Sequence, residues 1–342
     1  MISRKGFPGW KRKEMRKMRT MLKKALALLL TLVLALPCAA FAEEWAVYED
    51  DSDAMWDNAQ WAELNEILYN DETGATLPDS YSVTVNNLSV TEGLNEDVMN
   101  ILLLGVDDKV LHGRTDAMLV LSVNVKNGSA KLISIDRDTY VCLPQIGRWN
   151  RVNTAYVFGG TDLAMKTVNE LLGLNITHYA VVDFNGFAAI IDLLGGVDIS
   201  LSGGEAKEIS VTKPVGTGMQ TLNGAQALAY ARIRSVDSTF GRSARHRNLL
   251  ITLLNKVIAT NGLSQILDLV EAMLPYLATN LTTNELINLI FNVLPYYQEM
   301  GVYSYPADGE WQYWTTPSGA SVVTVQSPDS AAANVRAFIY GE

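Results

Sequence analysis

Asp116–Asp138, DAMLVLSVNVKNGSAKLISIDRD, decides the fold. Two strand-like apolar runs flank Asn127-Gly128, and Asn-Gly in that setting is the strongest short hairpin signal. With Asn127 and Gly128 as the two turn residues, Lys126 pairs with Ser129, Met118 opposes Arg137 and Asp116 opposes Thr139. Side chains two apart share a strand face. Asp116 and Arg137 therefore point the same way as diagonal neighbours, roughly 7 Å apart, and Asp138 points to the other face.

Outward from the hairpin, MNILLLGVDD (residues 99–108) reads as a buried strand ending at a glycine and two aspartates. The loop Asp108–Thr115 brings the chain back to Asp116, so Asp107, Asp116 and Arg137 meet at one sheet edge. Downstream, a helix over Asp162–Leu172 stops at Gly173, HYAVVDF is a strand, and NGFAAIIDLLGG is a helix opened by Asn185 and stopped by Gly195-Gly196. VDISL returns as a strand. LNGAQALAYA, SARHRNLLITLLNKVIA, LSQILDLVEAML and TNELINLIFNVL are helical. The tail reads as strands around a Pro/Gly turn, then a last helix near Ser330–Tyr340. Interleaved helices and strands with one hairpin predict an α/β fold with a mixed sheet covered on both faces.

The chain is 342 residues long and 48% hydrophobic, enough to bury a sizeable core. Its charge is sharply divided. Residues 1–24 carry ten basic side chains against Glu14 alone, which leaves 17 basic and 36 acidic residues, formally −19, on the remainder. Such a body is a poor partner for nucleic acid, whose affinity comes largely from phosphate neutralisation. The basic start, the apolar run Ala25–Leu36 and Ala40-Phe41-Ala42 read as a secretory signal or a retained membrane anchor over residues 1–42. Residues 43–95 read as an acidic spacer or small accessory segment with a helical piece around Trp56–Tyr69, and 96–342 as the principal domain. Past Cys38 the only cysteine is Cys142, read as a small buried hydrophobe.

Two clusters carry the chemistry. Asp107 and Asp116 offer hard oxygen donors that suit Mg²⁺ or Mn²⁺ together with phosphate oxygens; an ion-pair cluster at a strand end is the competing reading. Zinc is disfavoured, because His112, His178 and His246 have no ligand spacing. YARIRSVDSTFGRSARHRNL (residues 230–249) gathers Arg232, Arg234, Arg242, Arg245 and Arg247 without a lysine. The planar guanidinium fork matches phosphate or carboxylate. Arg232 and Arg234 form an extended pair, and Arg242, Arg245 and His246 share a face at a helix start, where an anion also gains from the helix N-terminus. Leu249, Leu250, Leu253 and Val257 continue as an apolar stripe that anchors the helix, and Arg247 lies on another side. A solvated basic face is the alternative.

LLLGVD, GRTDAMLVLSVN, LISIDRDTYV, RVNTAY, VVDFNGFAAIIDLLGGVDISL, LNGAQALAYARIR and FGRSARHR, in that order, resemble the LytR-CpsA-Psr proteins over residues 100–257. The resemblance implies a three-layer α/β/α fold. It also implies an extracytoplasmic phosphotransferase that moves an anionic glycopolymer from an undecaprenyl-pyrophosphate carrier to a peptidoglycan hydroxyl at the membrane surface. It makes Asp107 and Asp116 metal-binding and, with Arg137, catalytic residues, and it assigns Arg114, Arg137, Arg232, Arg234, Arg242 and His246 to the pyrophosphate. It further implies an apolar tunnel for the prenyl tail, with Phe184, Phe187, Ile190, Ile191 and Leu194 as lining or as ordinary core. Three departures stand out, one being the Ala40-Phe41-Ala42 cleavage signal where the family usually retains a membrane anchor. His246 replaces the usual glutamine, giving a donor whose charge varies near neutral pH, and Asp136 replaces the usual proline, loosening one turn. A polyprenyl-pyrophosphate hydrolase and a catalytically silent binder of lipid-linked polymer are the rival functions.

Overall fold

Val98–Val106 (β1) is apolar at nearly every position, as a strand covered on both faces must be, and it occupies the interior of a six-stranded sheet. The computed structural model describes residues 82–107, 113–210, 214–233, 235–236, 239–258, 272–292 and 300–341, all within the unit spanning Asp53–Glu342. The strand order is β10 (Gly301–Tyr305), β3 (Ala130–Ile135), β2 (Thr115–Asn124), β1, β6 (His178–Asp183) and β9 (Ala278–Thr279). β1–β2, β2–β3 and β6–β9 are antiparallel, while β1–β6 and β3–β10 are parallel, so the sheet is mixed as expected.

Alternation along the strands sorts side chains into two layers of core. Leu102, Leu104, Met118, Val120, Ile133 and Ile135 pack against α1 (Thr154–Leu172) and α7 (Pro328–Tyr340) through Phe158, Leu163, Val168 and Val335. On the opposite face Leu119 and Leu132 meet Leu250, Ile251 and Leu254 of α5 (Thr239–Ile258). A neighbouring cluster unites α2 (Phe184–Leu193), α3 (Gly203–Ser210), α4 (Gly224–Ala231) and the small sheet of β7 (Val197–Leu201) and β8 (Gly218–Leu222). The three-layer α/β/α arrangement is present. Gly224 is the tightest joint in it: a Cβ there would lie 2.1 Å from the Ala188 carbonyl oxygen, and its N–H donates to Asp192 at 2.7 Å, clamping α4 to α2.

Several sequence expectations are corrected. The hairpin loop holds four residues, because the Asn124 carboxamide accepts from the N–H groups of Lys126 and Asn127 and closes an Asx turn, with Gly128 taking the left-handed position at φ 74°. Met118 therefore opposes Ile135, a register two residues from the expected one. The helix expected from Asp162 begins at Thr154 and is interrupted at Gly159-Gly160; it ends at Gly173 in the left-handed conformation, as read. α2 is capped by Asp183, which accepts the Gly186 N–H, rather than opened by Asn185. β8 was not expected. Cys142 is exposed on β4 (Tyr140–Leu143), which pairs with β5 (Arg148–Arg151), because the alternation buries Val141 and Leu143 instead. The segment read as a spacer or small accessory segment is packed structure from residue 82 onward: Val83 is buried, Val85 and Leu88 join the core, and Val83 N–H bonds the Phe158 carbonyl. The signal or anchor at 1–42 and the piece at 56–69 lie outside the described residues, and most of LSQILDLVEAML does too. Among the described residues no helix is long and apolar enough to cross a membrane.

Candidate functional site

β1 and β2 fall out of step at one point. Gly105 faces Ala117 and Val106 faces Thr115, leaving Asp116 as the extra residue of a β-bulge. Bulges re-aim a side chain. Strict alternation would place Asp116 on the Met118 face, inside the core; instead it lines a cavity beside Ala117 and Leu119. Arg137, two residues past the end of β3, reaches it: Arg137 Nη1 donates to Asp116 Oδ1. Asp107, at the end of β1, accepts the Arg114 N–H at 2.8 Å. Burial pushes the Asp107 carboxyl above its ordinary value, the bond from Arg114 opposes this, and the nearby charge of Asp116 adds to the rise. Asp107, Asp116 and Arg137 thus occupy one sheet edge, as the spacing predicts, with the Arg114 backbone bonded to Asp107 beside them.

Past β3 the chain turns rather than continuing as a strand. Asp136 Oδ1 accepts the Asp138 N–H at 2.9 Å, and Asp136 N–H donates to the Tyr305 carbonyl at 2.9 Å, so this aspartate closes the turn instead of loosening it. The turn also overrides the face expected for Asp138. Its carboxylate lies 3.5 Å from Arg137, 3.4 Å from Arg151 and 3.7 Å from Arg242, the organising anion of a buried arginine cluster. The sequence reading missed both Asp138 and Arg151. Their signal was the second acid of IDRD and the arginine opening RVNTAY.

α5 carries the rest. Arg242 is buried; burial first and then the Arg137 charge push its guanidinium below its ordinary value. Arg245 turns away to donate to the Ile233 carbonyl at 2.7 Å and approach Glu205 at 3.9 Å, so its role is to hold the α4–α5 connection. Arg247 bonds Ser134. His246 donates from Nε2 to the Ala231 carbonyl at 3.1 Å, and burial pushes its pKa down to about 4. It is therefore neutral at physiological pH, which corrects the expectation of a charge varying there. Arg232 lies with its guanidinium 4.6 Å from the Phe184 ring, a cation–π contact at the cavity mouth. Arg234 lies outside the described residues.

The cavity has a volume of about 420 Å³. Its polar end holds Asp116, Asp183, Arg232, Arg242 and His246, and the rest is almost entirely aliphatic. The stripe Leu249, Leu250, Leu253 and Val257 lines it instead of merely anchoring α5, opposite Leu277, Leu286 and Leu289. Phe184, Phe187, Ile190 and Leu194 line it too, whereas Ile191 is buried in the adjacent core. Arg232 faces a second, open cleft of about 590 Å³ with Glu208 and Ser235. Among the described residues no group of three or more His, Cys, Asp or Glu is placed to hold a metal. A divalent ion at Asp107 and Asp116 would therefore draw most of its shell from phosphate oxygens and water, the usual habit of Mg²⁺.

A family model described as the LytR_cpsA_psr family matches residues 67–330. The polyisoprenyl-teichoic acid–peptidoglycan teichoic acid transferase TagU of Bacillus mycoides (strain KBAB4) is 31% identical over 248 residues, covering 70% of this chain and 81% of that protein. The crystal structure of B. subtilis TagV matches with a TM-score of 0.61 at 27% identity, over 72% of this chain and 97% of that one. YwtF (TagT) with bound octaprenyl pyrophosphate lipid matches with a TM-score of 0.58 at 22% identity, over 78% of this chain and 100% of that one, a likeness of fold.

Proposed function

The chain belongs to the LytR_cpsA_psr family, and from that premise we propose that it is an extracytoplasmic transferase moving a glycopolymer phosphate from a polyprenyl-pyrophosphate carrier to a peptidoglycan hydroxyl. One observation carries the reading: an aliphatic cavity ends at two arginines, two aspartates and a histidine. An amphiphile with a long apolar tail and an anionic head fits that combination, and a water-soluble phosphate ester would leave the tail space unused. Each buried CH₂ contributes about 0.8 kcal/mol, so the tail supplies affinity while the arginines fix the position of the head.

In this reading Arg242 and Arg232 receive the pyrophosphate at the cavity mouth, with Arg137 and Arg114 at the sheet edge beside it. Guanidinium forks neutralise the equatorial oxygens as charge shifts in the transition state. Asp107 and Asp116 would hold Mg²⁺ or Mn²⁺, which supplies charge neutralisation to the leaving phosphate. The acceptor oxygen bonds to the phosphorus bearing the glycan, and the bond from that phosphorus to the polyprenyl phosphate breaks. The hydroxyl proton passes to a carboxylate of the site, Asp107 or Asp116. The basic and apolar segment at 1–42 supports action outside the cytoplasm.

Purified protein, Mg²⁺, lipid-linked glycan and a peptidoglycan oligomer provide the test. Ligated glycan–peptidoglycan product is expected, with turnover lost in Arg137→Ala and Asp116→Ala while carrier binding persists. Release of free glycan phosphate without ligated product under every acceptor condition would instead identify a hydrolase. Carrier binding with no turnover of any kind would identify a binder.

A further inference from the structure

α5 orders three kinds of chemistry along one axis. Val257, Leu253 and Leu249 lie along the aliphatic cavity, His246 and Arg242 stand at its polar end, and Phe240 lies one step beyond, outside the cavity lining. At a rise of 1.5 Å per residue, Val257 to Arg242 spans about 22 Å and Arg242 to Phe240 about 3 Å. Phe240 does not stand alone. Its ring stacks on Trp311 at 4.3 Å, and Tyr313 stands at 77° to Trp311 with centroids 4.9 Å apart. Trp311 and Tyr313 are two apart on β11 (Trp311–Thr315), hence on one face, and β11 pairs with β12 (Ser321–Val325). β12 is in turn tied to the arginine cluster, where Val323 N–H donates to the Asp138 carbonyl at 2.8 Å. The three rings form a corner whose open wall is Tyr313, 52% exposed.

We propose that this corner is the acceptor subsite and that its occupant is an uncharged N-acetylhexosamine strand; the proposal rests on the transferase reading above. The apolar C–H face of a pyranose is a flat, weakly positive surface that lies against the negative face of an aromatic ring, and near-perpendicular rings cradle one sugar from two sides. Position supports this choice of ligand. The carrier tail would fill the cavity, so an acceptor hydroxyl must reach the arginines from outside it, and Tyr313 pairs with Val323, whose N–H bonds Asp138 at the centre of the arginine cluster. Charge supports it as well. From Gly301 to Val335 there is no lysine, arginine or histidine, and Asp308, Glu310 and Asp329 are acidic. That surface would repel an anionic bilayer and accept a neutral glycan.

A β-1,4-linked N-acetylglucosamine pentamer is a suitable probe, titrated calorimetrically into the full chain without carrier, alongside acceptor KM and carrier KM in the transfer assay. Tyr313→Ala is expected to raise the pentamer Kd and the acceptor KM at least fivefold and to leave carrier KM and octaprenyl pyrophosphate Kd within twofold. Tyr313→Phe, which keeps the ring, should match the wild type. The proposal is overturned if the wild type does not bind pentamer, or if Tyr313→Ala binds it equally well. Tyr313-dependent binding of phosphatidylglycerol vesicles in place of pentamer would likewise refute it and mark a membrane contact. Tyr313-dependent pentamer binding without any ligated product would uphold the subsite and reject the transferase reading.

Discussion

Replacing His246 by glutamine removes one titrating group while keeping a donor for the Ala231 carbonyl. In the folded protein burial pushes the His246 pKa from the ordinary 6.5 down to about 4. Between those values the unfolded chain binds the proton and the folded chain does not, so stability rises with pH across that window. The group's contribution is complete above its unfolded value and is lost on acidification. The loss amounts to about 1 kcal/mol at pH 6, about 2 kcal/mol at pH 5 and about 3 kcal/mol at pH 4. Its causes are the burial and, to a smaller degree, the positive charges of Arg242 and Arg245. The measurement is urea unfolding of the wild type and His246→Gln from pH 8 to pH 4, taking the difference at each pH so that other carboxylates cancel. The wild type should lose stability on acidification by those amounts relative to the variant. Curves that stay parallel within about 0.5 kcal/mol would refute the claim that His246 is held neutral. The same reasoning predicts that replacing this residue leaves the activity profile between pH 6 and 8 unchanged in shape.

Asp138→Asn removes the carboxylate shared by Arg137, Arg151 and Arg242 and should lower unfolding stability by about 3 kcal/mol, with an unchanged urea m-value. A loss below about 0.5 kcal/mol would mean that the arginines are solvated independently. Gly224→Ala drives a methyl group into the Ala188 carbonyl and should cost about 2–4 kcal/mol by thermal or urea denaturation. Leu253→Trp fills the cavity, so octaprenyl pyrophosphate should bind at least tenfold more weakly while the urea midpoint moves little. Mg²⁺ affinity measured with carrier present should fall in both Asp107→Asn and Asp116→Asn, whereas single-sided loss would place the ion elsewhere.

Much of the fold was legible because its signals are local. The Asn-Gly pair, the apolar run of β1 and the helix stop at Gly173 each act within a few residues. The hairpin register was not legible, since the Asn124 side chain competes for the turn and wins by bonding two backbone N–H groups. At the site, the meeting of Asp107, Asp116 and Arg137 was readable from strand spacing. The bulge at Asp116 was not, because a bulge depends on how two strands fit and leaves no mark in either alone. Asp138 was assigned to the wrong face by an alternation that ends at Ile135, where the strand itself ends. The leucine stripe of α5 looked like ordinary packing. Whether such a stripe faces core or empty space is decided by its neighbours, and these come from residues as distant as Leu277 and Leu289.

The turn that aims Arg137 is held by partners from the far end of the chain. Asp136 bonds Tyr305, Asp138 bonds Val323, and Arg151 donates to the Ser321 carbonyl at 2.7 Å. A ribosome or a translocation pore releases the arginines and aspartates of the site long before it releases β10 and β12. Until those last strands emerge, the turn lacks its brace and the arginine cluster its geometry. A chain cut before Ser321 would carry Asp107, Asp116, Arg137 and Arg242 without the β12 contacts that brace the turn between them.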